Sequence, residues 1–385
     1  MKTLPCLISA GEYSGDLLAA ELVKNLRHHK KATPFSFFGV TGPAMKRAGV
    51  ETIASMDALS VMGFFDVLSK VVLLRKLVTA LINEIQKRQA KLVILVDYPG
   101  FHFYLAKKLR PLGVQIVQYA APKLWAWGEH RALRLKRDFD LVLGFFPFEI
   151  DFFAKWQVPY RYVGNPHLGR ITQIKALPRA KKEKAQGYSL VGLIPGSRRS
   201  EIENIMPHLC EIMVSCLSRN SKMKFFLPIA PSLSKRTILA AIPANHAFLK
   251  EHMVFIAGKS LEVMKAMDVC LVTSGTATLE CALLQTPMVV LYKMDRISYL
   301  IAKRKVKIPY ISLVNIIMTQ AVVKEFVQVF QTKDVVDEVF SLLAPSDKRH
   351  QMILAFDLLA KSLRETAATP AAKEIARLCN QNPGA

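Results

Sequence analysis

The apolar positions of the chain fall into two series of short continuous runs, each run followed by a longer amphipathic stretch. LPCLISA, FSFFGV, KLVILVD, QIVQYA, LVLGFF and YRYVG read as strands, separated by helical patterns such as SGDLLAAELVKNLRHH and HFYLAKKLRPLG. A second series begins at SLVGLIP and continues through KFFLPIA, MVFIAG, DVCLVT and PMVVLYK. Between the two lies the polar, basic stretch RITQIKALPRAKKEKAQG, roughly 170–187, which reads as a linker. Strands alternating with helices imply right-handed parallel βαβ units. The expected fold is therefore α/β, with two doubly wound, Rossmann-like domains facing each other across a cleft, 1–169 and 188–345.

Composition supports that division. At 385 residues the chain exceeds one ordinary core, and its 51% apolar content excludes disorder. The six cysteines show neither C-x-x-C pairs nor regular spacing, so neither a metal site nor a disulfide framework is expected, and a reducing compartment fits better. The N-terminus lacks a signal-peptide pattern, and no uncharged stretch reaches the ~18–20 residues a membrane span needs. A cytoplasmic protein is expected.

Charge adds a constraint. Against 30 acidic residues stand 53 Lys and Arg, a formal net charge of +23, which predicts attraction to nucleic acid, acidic phospholipid or phosphorylated substrates. The excess is spread over many elements, without the aromatic-interleaved basic strands or zinc-finger spacing of nucleic-acid modules. A solvated basic face is the plain alternative.

Ligands in doubly wound sheets bind beyond the carboxyl ends of the strands, and four strand ends carry candidate chemistry. In AGEYSGD, Gly11 and Gly15 allow tight turns, while Ser14 and Asp16 can cap the next helix. In VDYPG, Asp97 ends an apolar strand and can serve as a general base toward a sugar hydroxyl, or can simply cap a turn. In LIPGSRRSEIE, Gly196 and Ser197 expose backbone N–H groups at a helix start, and Arg198 can grip phosphate bidentately. The fourth is TSGTATLE, where Ser274, Gly275 and Thr276 offer a second helix start, and Glu280, placed in its first turn, can accept hydrogen bonds from ribose hydroxyls. Capping alone accounts for either helix start. Two in one half of the chain point instead to a nucleotide-diphosphate site.

AGEYSGD, VMGFFDVL, VDYPGF, PKLWAWGEHR, FFPFE, IPGSRRSEI, SGTATLECALLQTPMVVLYK and LVNII, in that order from about residue 8 to residue 328, together resemble the lipid-A-disaccharide synthase family of inverting GT-B glycosyltransferases. The resemblance implies a metal-independent transfer, with no cofactor, from UDP-2,3-diacylglucosamine to 2,3-diacylglucosamine 1-phosphate, giving a β-1,6 disaccharide phosphate and UDP. It also implies Asp97 as the base, Arg198, Glu280 and Asn315 among the UDP-binding positions, and Ser14, Gly15 and Asp16 in the family's glycine-rich block. The implied setting is the cytoplasmic face of the inner membrane, with an anionic lipid surface as partner, no nucleic acid, and room for a homodimer. Residues 346–385 are expected to form helices crossing back to the first domain. Several positions depart from the family pattern: Gly100 and His102 stand where it has Asp and Asn, Asn165 where it has His, and Val314 where it has Pro. Another GT-B UDP-sugar enzyme, such as an epimerase, remains the alternative.

The segment Val61 to Val78 carries Phe64, Phe65, Leu68 and Val72 in an apolar sector too broad for one core stripe, punctuated by Lys70, Arg75 and Lys76. It reads either as a buried core helix or as an interfacial helix that meets the membrane and admits acylated substrates.

Overall fold

The structure, a computed structural model, describes residues 3–28, 34–60, 67–295, 299–300, 303–304, 306, 308–365 and 369–381. The chain divides into two units, Met1–Pro166 with Thr366–Ala385, and His167–Glu365.

The first unit holds seven strands: β1 (Leu4–Ala10), β2 (Phe35–Thr41), β3 (Glu51–Ser55), β4 (Leu92–Val96), β5 (Gln115–Tyr119), β6 (Leu141–Gly144) and β7 (Tyr160–Tyr162). They form one parallel sheet in the order β3-β2-β1-β4-β5-β6-β7. All five residues of β4 are buried, which is why KLVILV is apolar without alternation. Val93 and Leu95 enter one core layer, Leu92, Ile94 and Val96 the other, as the two-residue period of a strand dictates. The second layer also takes in Ala372 and Ile375 of the helix Ala371–Gln381, and Gln115 Nε2 donates to the Leu378 carbonyl at 3.2 Å.

The second unit holds β8 (Ser189–Ile194), β9 (Met223–Ile229), β10 (Met253–Ala257), β11 (Val269–Thr273), β12 (Met288–Tyr292) and β13 (Glu325–Val327), parallel and ordered β10-β9-β8-β11-β12-β13. The helix Asp347–Glu365 belongs to this unit, so the return to the first begins after residue 365 and not at 346. The stretch read as a linker also differs. Pro178, at a first helical position, opens the helix Pro178–Ala185, which buries Ala180 and is tied to the unit by Lys184 on Asp268 at 2.6 Å.

The helix Val67–Arg88 resolves part of the Val61 to Val78 question. Leu77, Val78, Leu81 and Ile85 lie in the core, so the last turn of the proposed interfacial segment is core helix. Val72 and Leu73, 52% and 46% exposed, are not. Phe64 and Phe65 fall outside the described residues, as does the side chain of Leu68. Among the described residues no helix is long and apolar enough to cross a membrane.

Strand order reverses between β1 and β4 in one sheet and between β8 and β11 in the other. These switch points are where open parallel sheets leave a crevice for ligands.

Candidate active site

At the first switch point the register pairs Ala10 with Val96, which puts Gly11 beside Asp97 just beyond the strand ends. Asp97 is half-buried, and its N–H extends the ladder to the Tyr119 carbonyl at 2.8 Å. Its φ is 52° and that of Tyr98 is 48°, so the chain turns through two left-handed residues before Pro99 opens the helix Pro99–Leu109. The Tyr98 ring lies over Gly11, where a Cβ would come within 2.4 Å of it, so only glycine fits. A Cβ on Gly15 would sit 3.8 Å from that of Asp97, which places the glycine-rich block against the candidate base.

The roles expected for Ser14 and Asp16 need correction. The helix Tyr13–His28 starts before both, so neither caps it. Ser14 is exposed; Asp16 is fully buried and accepts the N–H groups of Gly42 (3.0 Å), Ala44 (2.7 Å) and Met45 (3.0 Å), capping the short helix Pro43–Arg47. Its carboxylate binds backbone.

Two side chains that the sequence gave no role, His102 noted only as a departure from the family pattern and Glu149 not singled out, stand near the same strand ends. His102 is buried, with Nδ1 2.6 Å from the Asp97 carbonyl and Nε2 3.1 Å from the Ser9 hydroxyl. Burial holds its pKa down, to about 4. Glu149, at the start of the helix after β6, is also buried and accepts from Trp125 Nε1 (3.1 Å) and the Tyr160 hydroxyl (3.0 Å). Burial pushes its pKa up to about 7 against the pull of those two hydrogen bonds. Glu149 thus joins the WAW and FFPFE blocks, a link that only spatial neighbours reveal.

At the second switch point Val272 pairs with Ile194, so the loops Pro195–Arg198 and Ser274–Thr276 leave adjacent strand ends and each opens a helix. The two helix starts singled out in the sequence thus lie at adjacent strand ends. Gly196 has φ 105°, a conformation that favours glycine, and a Cβ there would collide with Glu201. The N–H groups expected to be open are engaged: Ser197 and Arg198 donate to Glu201 Oε2 at 3.0 and 3.3 Å, and Arg198 Nη1 lies 3.5 Å from Glu201 Oε1. An internal carboxylate occupies the anion position of this loop.

In the other loop the Ser274 hydroxyl donates to the Ile311 carbonyl at 2.7 Å. The helix Thr276–Leu283 has no acid in its first turn, so Glu280 lies one turn deeper than expected, half-buried. Asn315 differs more. It is 1% exposed, both of its amide N–H groups are taken by Val323 O and Glu325 Oε1 at 2.8 Å, and its Oδ1 accepts from Val323 N. Glu325, unnoticed in the sequence, also accepts from Ile311 N, Ser312 N and the Ser312 hydroxyl. Asn315 therefore fastens the segment 311–315 and has no donor left for a nucleotide. Among the described residues no cluster of His, Cys, Asp or Glu has metal-binding geometry.

Two doubly wound parallel sheets, one with a carboxylate and the other with two helix-opening loops at its switch point, define the GT-B class of glycosyltransferases and related sugar-nucleotide enzymes. Solved structures with this fold include a putative UDP-N-acetylglucosamine 2-epimerase from Listeria monocytogenes (TM-score 0.65, 10% identity, 96% of this chain and 99% of that one). The glycotransferase of kitacinnamycin is another (TM-score 0.63, 13% identity, 99% of both chains). The model of the lipid-A-disaccharide synthetase family matches residues 6–375. Lipid-A-disaccharide synthase of Myxococcus xanthus (strain DK1622) is 32% identical, covering 97% of each chain. Lipid-A-disaccharide synthase 2 of Legionella pneumophila (strain Lens) is 34% identical over 96% of this chain and 95% of the relative. The chain belongs to the lipid-A-disaccharide synthase family, and it is a glycosyltransferase of lipid A biosynthesis.

Proposed function

We propose that the chain transfers the acylated sugar of UDP-2,3-diacylglucosamine to the 6-hydroxyl of 2,3-diacylglucosamine 1-phosphate with inversion. The Asp97 carboxylate takes the hydroxyl proton, the oxygen bonds to the donor's C1, and the bond from C1 to the diphosphate breaks to release UDP. Arg198 and the N–H groups of the Gly196–Arg198 and Gly275–Thr276 loops take up the charge growing on the leaving diphosphate, with no resident metal or cofactor in the step. Glu280 receives the ribose hydroxyls. For the first loop to serve, the Glu201 carboxylate must turn away as the diphosphate arrives. The observation that carries this reading is the position of Asp97 and of both helix-opening loops at the two points of strand reversal. The reading is tested by following UDP release from the donor. Release should require the diacylated monosaccharide phosphate, and equal release without it would point to a different UDP-sugar enzyme.

The enzyme works, in this proposal, as a peripheral protein on the cytoplasmic face of the inner membrane. The exposed Val72 and Leu73 beside the exposed Arg75 and Lys76, together with the net charge of +23, support contact with anionic lipid. Phe64→Asp combined with Phe65→Asp should release the protein from anionic vesicles while leaving UDP affinity intact. Wild-type binding should weaken with salt, because headgroup attraction is screened over about 10 Å at 0.1 M. Were these phenylalanines core residues, two buried carboxylates would instead unfold the unit at a cost of several kcal/mol, roughly the penalty for unpaired buried charge. Vesicle co-sedimentation alongside a thermal melt separates the outcomes.

A further inference from the structure

The ring of His102 has one arrangement that satisfies both neighbours. A carbonyl can only accept, so the Nδ1 that lies 2.6 Å from Asp97 O carries the proton. In the neutral ring Nε2 is then an acceptor, and it receives the Ser9 hydroxyl at 3.1 Å. Ser9 and His102 are both fully buried, so the pair is no nucleophile with its activating base: no substrate reaches it. What it does touch is the backbone of the candidate base.

Asp97 and Tyr98 adopt consecutive left-handed conformations, which residues with a Cβ keep only when the surroundings over-determine them. On one side the Asp97 N–H is held by Tyr119 O at 2.8 Å. On the other the Asp97 carbonyl receives two donors, His102 Nδ1 and, more loosely, Gln118 Nε2 at 3.2 Å. The two peptide groups flanking the Asp97 Cα set the direction in which its side chain leaves the backbone. His102 makes the shorter of the two contacts to that carbonyl, and β1 anchors the far side of its ring through Ser9.

We infer that His102, fixed by Ser9, is a positioning residue that aims the Asp97 carboxylate by holding the Asp97 carbonyl. The inference rests on the reading of Asp97 as the base. Asparagine is the conservative replacement, because its Nδ2 hangs from Cγ as Nδ1 does in histidine and keeps the donor while losing the Nε2 acceptor. Leucine fills the space and offers no donor.

The test uses the full-length protein with both acylated substrates, comparing His102→Leu, His102→Ala and His102→Asn with wild type and with Asp97→Asn. His102→Leu and His102→Ala should lower kcat by roughly 10–100-fold, the scale of a reacting group displaced by about 1 Å, with UDP affinity and acceptor KM changed less than about threefold. Gln118 keeps its hold on the carbonyl in both, which limits the loss. His102→Asn should return to within roughly threefold of wild type, since it restores the donor that aims the base. In an Asp97→Asn background, His102→Leu should cost nothing further, because no base is left to aim. Wild-type kcat in folded His102→Leu, or His102→Asn as slow as His102→Leu, overturns the inference. Should neither donor-less variant fold, Ser9→Ala replaces them; it is expected to lower kcat roughly 3–10-fold by freeing the ring, and an unchanged kcat overturns the inference. Full turnover in Asp97→Asn is a separate outcome, which removes the base itself.

Discussion

Asp97→Asn lowers turnover by about 10²–10⁴-fold, the range lost when a general base is removed, while UDP affinity barely moves. The expectation combines position with chemistry. Asp97 stands one residue beyond β4 at the strand reversal, its backbone fixed on both sides, and asparagine matches its shape while accepting no proton. The loops proposed to hold the nucleotide lie in the other compact unit of the chain, so their chemistry is unchanged by the substitution. Single-turnover assays with UDP binding followed by calorimetry check both halves of the statement. Turnover within a few-fold of wild type would sink the assignment of Asp97 as the base.

Arg198→Ala is expected to lower kcat by roughly 10²–10³-fold, the cost of losing one preorganised charge at a leaving group. Arg198 follows Gly196 and Ser197 at the start of the helix Arg199–Arg219, and its side chain is 61% exposed, so little of the fold depends on it. The melting temperature should therefore stay near that of wild type, as for surface substitutions within about 0.5 kcal/mol. Arg198→Lys should recover only part of the loss, because an ammonium lacks the planar fork that meets two phosphate oxygens at once. Turnover of Arg198→Ala above a tenth of wild type would place the charge stabilisation elsewhere.

Much of this was legible in the chain because buried parallel strands must be apolar on both faces. KLVILV and DVCLV admit few other readings, and the glycines and small hydroxyl residues after them mark the turns at the carboxyl ends. The short strands β3 and β13 escaped notice for the converse reason. They lie at sheet edges, so ETIAS and EFV need neither length nor continuous apolarity. The helix Pro178–Ala185 was hidden by its charge, since only Ala180 within it is buried.

The site was legible at the level of loops and less so at the level of partners. Asp97, Gly196, Ser197, Arg198, Ser274, Gly275 and Thr276 fall at the two strand reversals, which motif position predicts. Which N–H group meets which carboxylate is a matter of residues distant in sequence or of rotamers. Asp16 reaches a helix about thirty residues ahead, Glu325 closes on Ile311, Ser312 and Asn315, and Glu201 folds back on its own loop. Asn315 looked like a ligand contact because a buried amide that orders a binding loop and one that touches the ligand leave the same mark in a sequence.

The central claim is the joining of two acylated sugars, and mass spectrometry of the product tests it most directly. UDP-2,3-diacylglucosamine and 2,3-diacylglucosamine 1-phosphate, incubated with the enzyme and a chelator, should give one new species carrying both diacylated sugars and a single phosphate, with one UDP released per molecule formed. Unchanged monosaccharide phosphate, accompanied by a hydrolysed or epimerised donor, would contradict the account.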